Sequence, residues 1–123
     1  MKRRKMVKTI TSPERAIESR SSFLWLDDDG ILVFINKPVP VHDLKGALEN
    51  LEFSKKISLG KPRPLLVDMT ATKSMTREAR EEYAKAGVDS IVTAIGLVTR
   101  SAMSRIVANF FLSFNQPAVP TRL

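Results

Sequence analysis

The apolar positions divide the chain into a short series of elements. Phe23-Leu-Trp-Leu26 and Ile31-Leu-Val-Phe-Ile35 lie on either side of Asp27-Asp-Asp-Gly30. Two such runs around a short Asp/Gly cluster predict a β-hairpin. Gly30 can take a positive φ without steric cost, and the aspartates can bond the turn backbone. Lys37-Pro-Val-Pro40 then ends the pairing, because proline has no N–H to give to a ladder. Beyond it, Leu44, Ala47, Leu48 and Leu51 recur at helical spacing. His42 or Asp43 can cap that helix and Gly60 can stop it.

Pro64-Leu-Leu-Val-Asp-Met69 is short and nearly all apolar, which suits a strand buried on both faces of a parallel sheet. Thr70 to Thr76 then lead into a helix over 77–86, with Gly87 after it. Ser74 or Thr76 caps this helix, and Glu78 favours its positive end. Its apolar stripe is thin (Ala79, Tyr83, Ala86), and Arg77, Glu78, Arg80, Glu81, Glu82 and Lys85 face water. Ile91 to Val98 is a second apolar strand. From Ser101 to Phe114 the pattern predicts a helix with a broad apolar face. Phe111 and Phe114 at its end need cover from their own chain or from another. Asn115-Gln-Pro-Ala-Val-Pro-Thr-Arg-Leu123 has the pattern of a lead-in to a strand. Residues 1–20 lack apolar periodicity, so we read a basic flexible leader over 1–20 and one domain over 21–123. Strands alternating with helices predict an α/β fold. The expected order is ββαβαβα plus a strand-like end, in a mixed, mainly parallel sheet with an N-terminal hairpin and helical cover.

Composition narrows the function classes. A chain of 123 residues, 43% apolar and 27% charged, is ordinary for one globular domain. The absence of cysteine excludes disulfides and thiolate metal sites and suits a reducing cytoplasm. No run approaches the roughly 18 apolar residues of a membrane span, and no apolar stretch follows the basic N-terminus as a secretory signal requires. The net charge of +7 is uneven. Residues 1–20 hold seven basic and two acidic side chains, and the rest hold thirteen and eleven. The leader could attract phosphates or anionic lipid, or simply be solvated. Aromatic residues are not interleaved with its basic ones, which disfavours nucleic-acid binding.

Candidate chemistry is sparse. Three adjacent aspartates lack the ligand spread of a calcium loop and predict a turn, so no metal is expected. His42 is the only histidine. It has no partner nucleophile in the sequence and reads as a cap-region side chain. Asp68 near a strand end could face the edge where open α/β sheets place their sites, or could bond the next loop's backbone. There is no Gly-rich phosphate loop and no nucleophile elbow. We therefore expect no catalytic residue, no cofactor and no enzyme. Met69, Met103, Phe110, Phe111 and Phe114 could line an apolar pocket, or be plain core at helical spacing.

Three segments carry a resemblance. They are Pro64-Leu-Leu-Val-Asp-Met69 with Lys73 to Tyr83, then Ser101 to Asn115 with Ser104-Arg105 and Asn109-Phe-Phe-Leu112, then Gln116 to Leu123. Together they resemble small bacterial STAS-like proteins of uncharacterised function, over about the last hundred residues. The STAS fold is named for sulfate transporters and anti-sigma-factor antagonists. The resemblance implies a cytoplasmic, non-enzymatic protein-interaction or regulatory module with an unidentified protein partner. Related lipid carriers imply a small apolar or lipid-like ligand as the alternative. In the family the chain continues past the equivalent of Leu123 into a strand and a helix. The last helix is therefore expected to be missing here, and a second copy to cover the exposed face. In anti-sigma-factor antagonists a serine after an aspartate at a helix start is the phosphoacceptor. Laid on this chain, Thr76 takes the aspartate's place and Arg77 the serine's. Ser74 and Thr76 are the nearest hydroxyls, as phosphoacceptors or as caps. The implied interaction surface holds Thr70, Thr72, Ser74, Thr76, Arg77, Phe111 and Phe114.

Overall fold

The Asp27–Gly30 turn closes the hairpin that the flanking apolar runs predict. Asp27 Oδ1 accepts from the backbone N–H groups of Asp29 and Ile31, both at 2.9 Å, and Gly30 sits at φ +82°. Asp27 thereby stands in for the missing backbone partners of a tight turn. The computed structural model describes residues 12–88, 92–100 and 121–122. Its elements are β1 (Ile17–Glu18), β2 (Ser22–Leu26), β3 (Leu32–Asn36), α1 (Leu44–Ile57), β4 (Arg63–Asp68), α2 (Arg77–Val88), β5 (Val92–Val98) and β6 (Thr121–Arg122).

The strands form one six-stranded sheet in sequence order. β1–β2 and β2–β3 pair antiparallel, while β3–β4, β4–β5 and β5–β6 pair parallel. The sheet is thus mixed, where the alternation of strands and helices predicts a mainly parallel one. The difference arises at β1. Ser19 turns the chain back by donating its backbone N–H to the Ser22 carbonyl at 2.8 Å, so Ile17 and Glu18 pair with Leu24 and Phe23. This strand lies inside the stretch that the sequence pattern assigns to a leader. The helix expected over 101–114 lies outside the described residues. Thr121 and Arg122 pair with Ile95 and Gly96, in keeping with a strand at that end.

The parallel crossovers β3-α1-β4 and β4-α2-β5 advance across the sheet in one direction. Right-handed crossovers then put both helices on one face, and α1 and α2 do pack together. Under them lie Leu24, Leu32, Phe34, Leu65, Val67, Ile95 and Leu97, all buried. Alternation sends Phe23, Trp25, Val33, Ile35 and Leu66 to the opposite face. There Trp25 stands across from Val33, and Phe23 across from Ile35. Among the described residues no helix is long and apolar enough to cross a membrane.

Both helices start on the caps the sequence offers. Asp43 accepts from Gly46 N–H at 3.0 Å, and Thr76 Oγ1 from Ala79 N–H at 3.1 Å. At its far end α1 carries Lys55 and Lys56, which suit the negative end of the helix dipole. α2 continues past Gly87 to Val88.

Candidate functional site

β3, β4 and β5 are parallel, so their C-terminal ends share one edge of the sheet. That edge gathers the segments after Asn36, after Asp68 and after Val98. It is also where open α/β sheets place their sites. Two of the segments are joined by a short parallel bridge between His42 and Met75. His42 N–H donates to the Ser74 carbonyl at 3.0 Å, and Thr76 N–H to the His42 carbonyl at 2.9 Å. Ser74 Oγ adds a bond to the Pro40 carbonyl at 2.9 Å.

The His42 ring is buried, with Nε2 at 3.0 Å from the Lys37 carbonyl. A carbonyl only accepts, so Nε2 carries the proton and donates it. Burial holds the His42 pKa below the usual histidine value, against the Lys37 carbonyl and the Asp43 carboxylate, which favour the charged form. His42 is therefore a neutral tie between the connector and the loop. Asp68 is tied as well. Its Oδ1 accepts from Thr70 N–H at 2.9 Å, and its Oδ2 meets Arg100 Nη1 at 3.0 Å. The backbone role considered for Asp68 is present, together with an ion pair to the segment after β5.

The sequence candidates separate in space. Ser74, Thr76 and the exposed Arg77 share the loop and the start of α2, where Arg77 pairs with Glu81 at 2.9 Å. Thr70 caps the Asp68 turn through its backbone. Thr72 is buried, and its Oγ1 accepts from Asn36 Nδ2 at 3.1 Å, so it belongs to the interior and not to a docking surface. Phe111 and Phe114 lie outside the described residues, as do Met103 and Phe110. Among the described residues no three His, Cys, Asp or Glu side chains are grouped to hold a metal ion.

Beneath this edge runs a polar network that the apolar pattern does not reveal. Ser19 Oγ donates to Asn50 Oδ1 at 2.6 Å. Asn50 Nδ2 lies 3.1 Å from Ser22 Oγ and 2.9 Å from the Tyr83 hydroxyl. Ser22 Oγ reaches Asn36 Oδ1 at 2.9 Å, and Asn36 passes the chain to Thr72. The signal in the sequence is Gly46, Asn50 and Ser54, four apart on α1. They place a small or polar residue at each turn of the buried face. A Cβ at Gly46 would stand 3.0 Å from Ser21 Oγ, which shows how closely α1 approaches the β1–β2 turn.

Tyr83 is half-buried and turns its hydroxyl into this network. Burial pushes its pKa up to about 12, with the Asn50 amide opposing. Tyr83 is the only tyrosine in the chain. An alkaline ultraviolet titration therefore reads one group, and tyrosinate should appear only near pH 12. Ionisation near the ordinary value of about 10 would mean that the phenol is in water.

Next to Asn36 and Tyr83 is an apolar cavity lined by Phe34, Leu51, Val67, Met69, Met75 and Leu97, among others. The centre of a water-sized sphere can range over about 40 Å³. At roughly 10–15 Å³ per water, that is room for about three waters. Its apolar lining among the described residues suits a small apolar group.

The largest departure from the sequence pattern is on α1. Helical spacing marks Leu44 and Leu48 for the core along with Ala47 and Leu51. The buried residues are instead Gly46, Ala47, Asn50, Leu51 and Ser54. Leu44 is 36% exposed and Leu48 47%, and Val41 just before the cap is 48% exposed. The helix turns its small and polar face inward to meet the serines of the β1–β2 turn. That rotation leaves an apolar flank beside the His42–Met75 bridge.

A family model described as Domain of unknown function (DUF7793) matches residues 24–123. The chain belongs to this family. The DUF7793 match begins within β2 and runs to residue 123, and β1 with its turn serines lies before it. No curated protein and no solved structure matches the chain.

Proposed function

We propose that this DUF7793 domain is a non-enzymatic docking module with a STAS-like fold, working in a bacterial cytoplasm. Its docking surface is the flank of Val41, Leu44 and Leu48, with Ser74, Thr76 and Arg77 beside it. The supporting observation is the exposure of three large apolar side chains on one short stretch. Leu44 and Leu48 stand one turn apart on α1 and so form adjoining surface. Adjoining exposed apolar side chains commonly mark interaction sites. Ser74 and Thr76 both use their hydroxyls within the fold. Phosphate on Ser74 would set acceptor oxygens against the Pro40 carbonyl and release the loop. These hydroxyls therefore serve as ties in this reading, and docking does not depend on a phosphorylation switch.

The test is a pull-down from nuclease-treated native lysate at moderate salt, with the tagged full chain as bait. We expect a protein partner in stoichiometric amount. Bait alone at dimer mass would replace that partner with a second copy of the chain. Bait alone at monomer mass would remove the docking reading. The cavity beside Tyr83 favours a second reading, the binding of a small apolar ligand. Mass spectrometry of molecules released on denaturing the protein tests it, and an empty eluate ends it.

A further inference from the structure

The opposite edge of the sheet carries an exposed leucine in a backbone conformation that leucine disfavours. α1 ends at Ile57, and the chain returns to β4 through residues 58–62. Leu59 sits there at φ +57° with 72% of its surface exposed. Left-handed backbone costs an L side chain energy that glycine avoids and asparagine tolerates. Exposed leucine in that region gains no burial within the described fold to offset the cost. A rule broken locally without compensation is what functional positions show.

The surroundings of Leu59 are basic. Lys55, Lys56 and Lys61 are exposed, and none has an ion-pair partner among the described residues. Arg63 Nε donates to the Ser58 carbonyl at 3.1 Å and so stands at the base of the turn. Arg15 lies at this same edge, with Nη2 donating to the Leu26 carbonyl at 3.1 Å. The aspartates of the β2–β3 turn also lie at this edge. Asp27 is engaged by two turn N–H groups, and Asp28 faces Arg15 at 3.5 Å.

We propose that this edge docks on an anionic lipid surface, with Leu59 entering the acyl boundary and Lys55, Lys56 and Lys61 meeting the headgroups. Basic charge alone would suit any polyanion. The aliphatic side chain held outward decides for lipid, because single-stranded nucleic acid is gripped by aromatic platforms and this turn has none. The proposal is independent of docking at the far edge, which uses different residues.

The test is flotation of the full chain with phosphatidylcholine vesicles, with and without phosphatidylserine. We expect binding only when phosphatidylserine is present, weakened by salt. Each lysine near such a surface contributes about fivefold, so Lys55→Gln with Lys61→Gln should weaken binding about 25-fold. Leu59→Asn should weaken it about tenfold through lost apolar burial. Because asparagine accepts the left-handed turn, the same variant should melt no lower than the parent. A folding defect therefore cannot mimic the result. Wild-type binding by Leu59→Asn would overturn the proposal, and so would equal binding to both vesicles. A single-stranded oligonucleotide that displaces the chain from vesicles and binds Leu59→Asn undiminished would assign the edge to nucleic acid instead.

Discussion

Replacing Asn50 with leucine is expected to remove about 3 kcal/mol of folding stability, although it puts a better helix former and a larger apolar side chain on α1. Asn50 is fully buried. Its amide joins Ser19 of the β1–β2 turn, Ser22 of β2 and Tyr83 of α2. Loss of the amide strips the Tyr83 hydroxyl of its partner and takes one bond each from Ser19 and Ser22, whose hydroxyls keep the Ser22 carbonyl and Asn36. An unsatisfied buried group costs about 1–3 kcal/mol, and the larger leucine must also be fitted into the space of the amide. A whole domain has only about 5–15 kcal/mol, so the effect is a large fraction of the total. Urea unfolding should show the midpoint falling with an unchanged slope, and melting should drop by about 10 °C. A loss below about 1 kcal/mol would mean that apolar burial, and not the polar network, seats this helix. The Tyr83 titration is a second readout. Its ionisation in the variant should move, because the amide that opposes burial is gone.

The network also explains which parts of the fold could be read from the sequence. The β2–β3 hairpin was legible because the Asp/Gly turn and the two apolar runs point to the same structure. β4 was legible as an apolar run flanked by prolines and threonines. Each helix start was legible down to two candidate caps, because a short polar side chain just before a periodic segment has few other uses, and the structure uses Asp43 and Thr76. β1 was not, because Ile17-Glu18 is two residues long and its pairing depends on Ser19 meeting Ser22 and Asn50. Those contacts span up to 31 positions, beyond any local pattern. α1 was half legible. Its existence followed from leucine spacing, but its orientation did not, since hydrophobicity alone points Leu44 and Leu48 inward. The structure instead buries Asn50 and Ser54, which find partners inside. Of the site candidates, Ser74, Thr76 and Arg77 do share one edge. Thr72 could not be sorted from them, because its burial is set by Asn36, 36 positions away.

Leu44→Lys combined with Leu48→Lys should abolish partner capture while leaving the melting temperature nearly unchanged. The two predictions about α1 are complementary, since Asn50 tests its inner face and the leucines its outer one. In the free domain these leucines are already one-third to one-half exposed, so charging them costs little internal packing. Lysine is also a good helix former, which keeps α1 intact. In a complex the same side chains would be buried. Full burial of a leucine is worth about 1.5–3 kcal/mol, so losing two partly exposed ones removes about 3 kcal/mol, or roughly 150-fold in affinity. The desolvation cost of two ammonium groups adds to that. The decisive comparison is pull-down yield against melting temperature for the double variant. Loss of capture at an unchanged melting temperature is the expected result. Undiminished capture would move the docking surface away from this flank, and a large fall in melting temperature would show that the leucines pack within the fold.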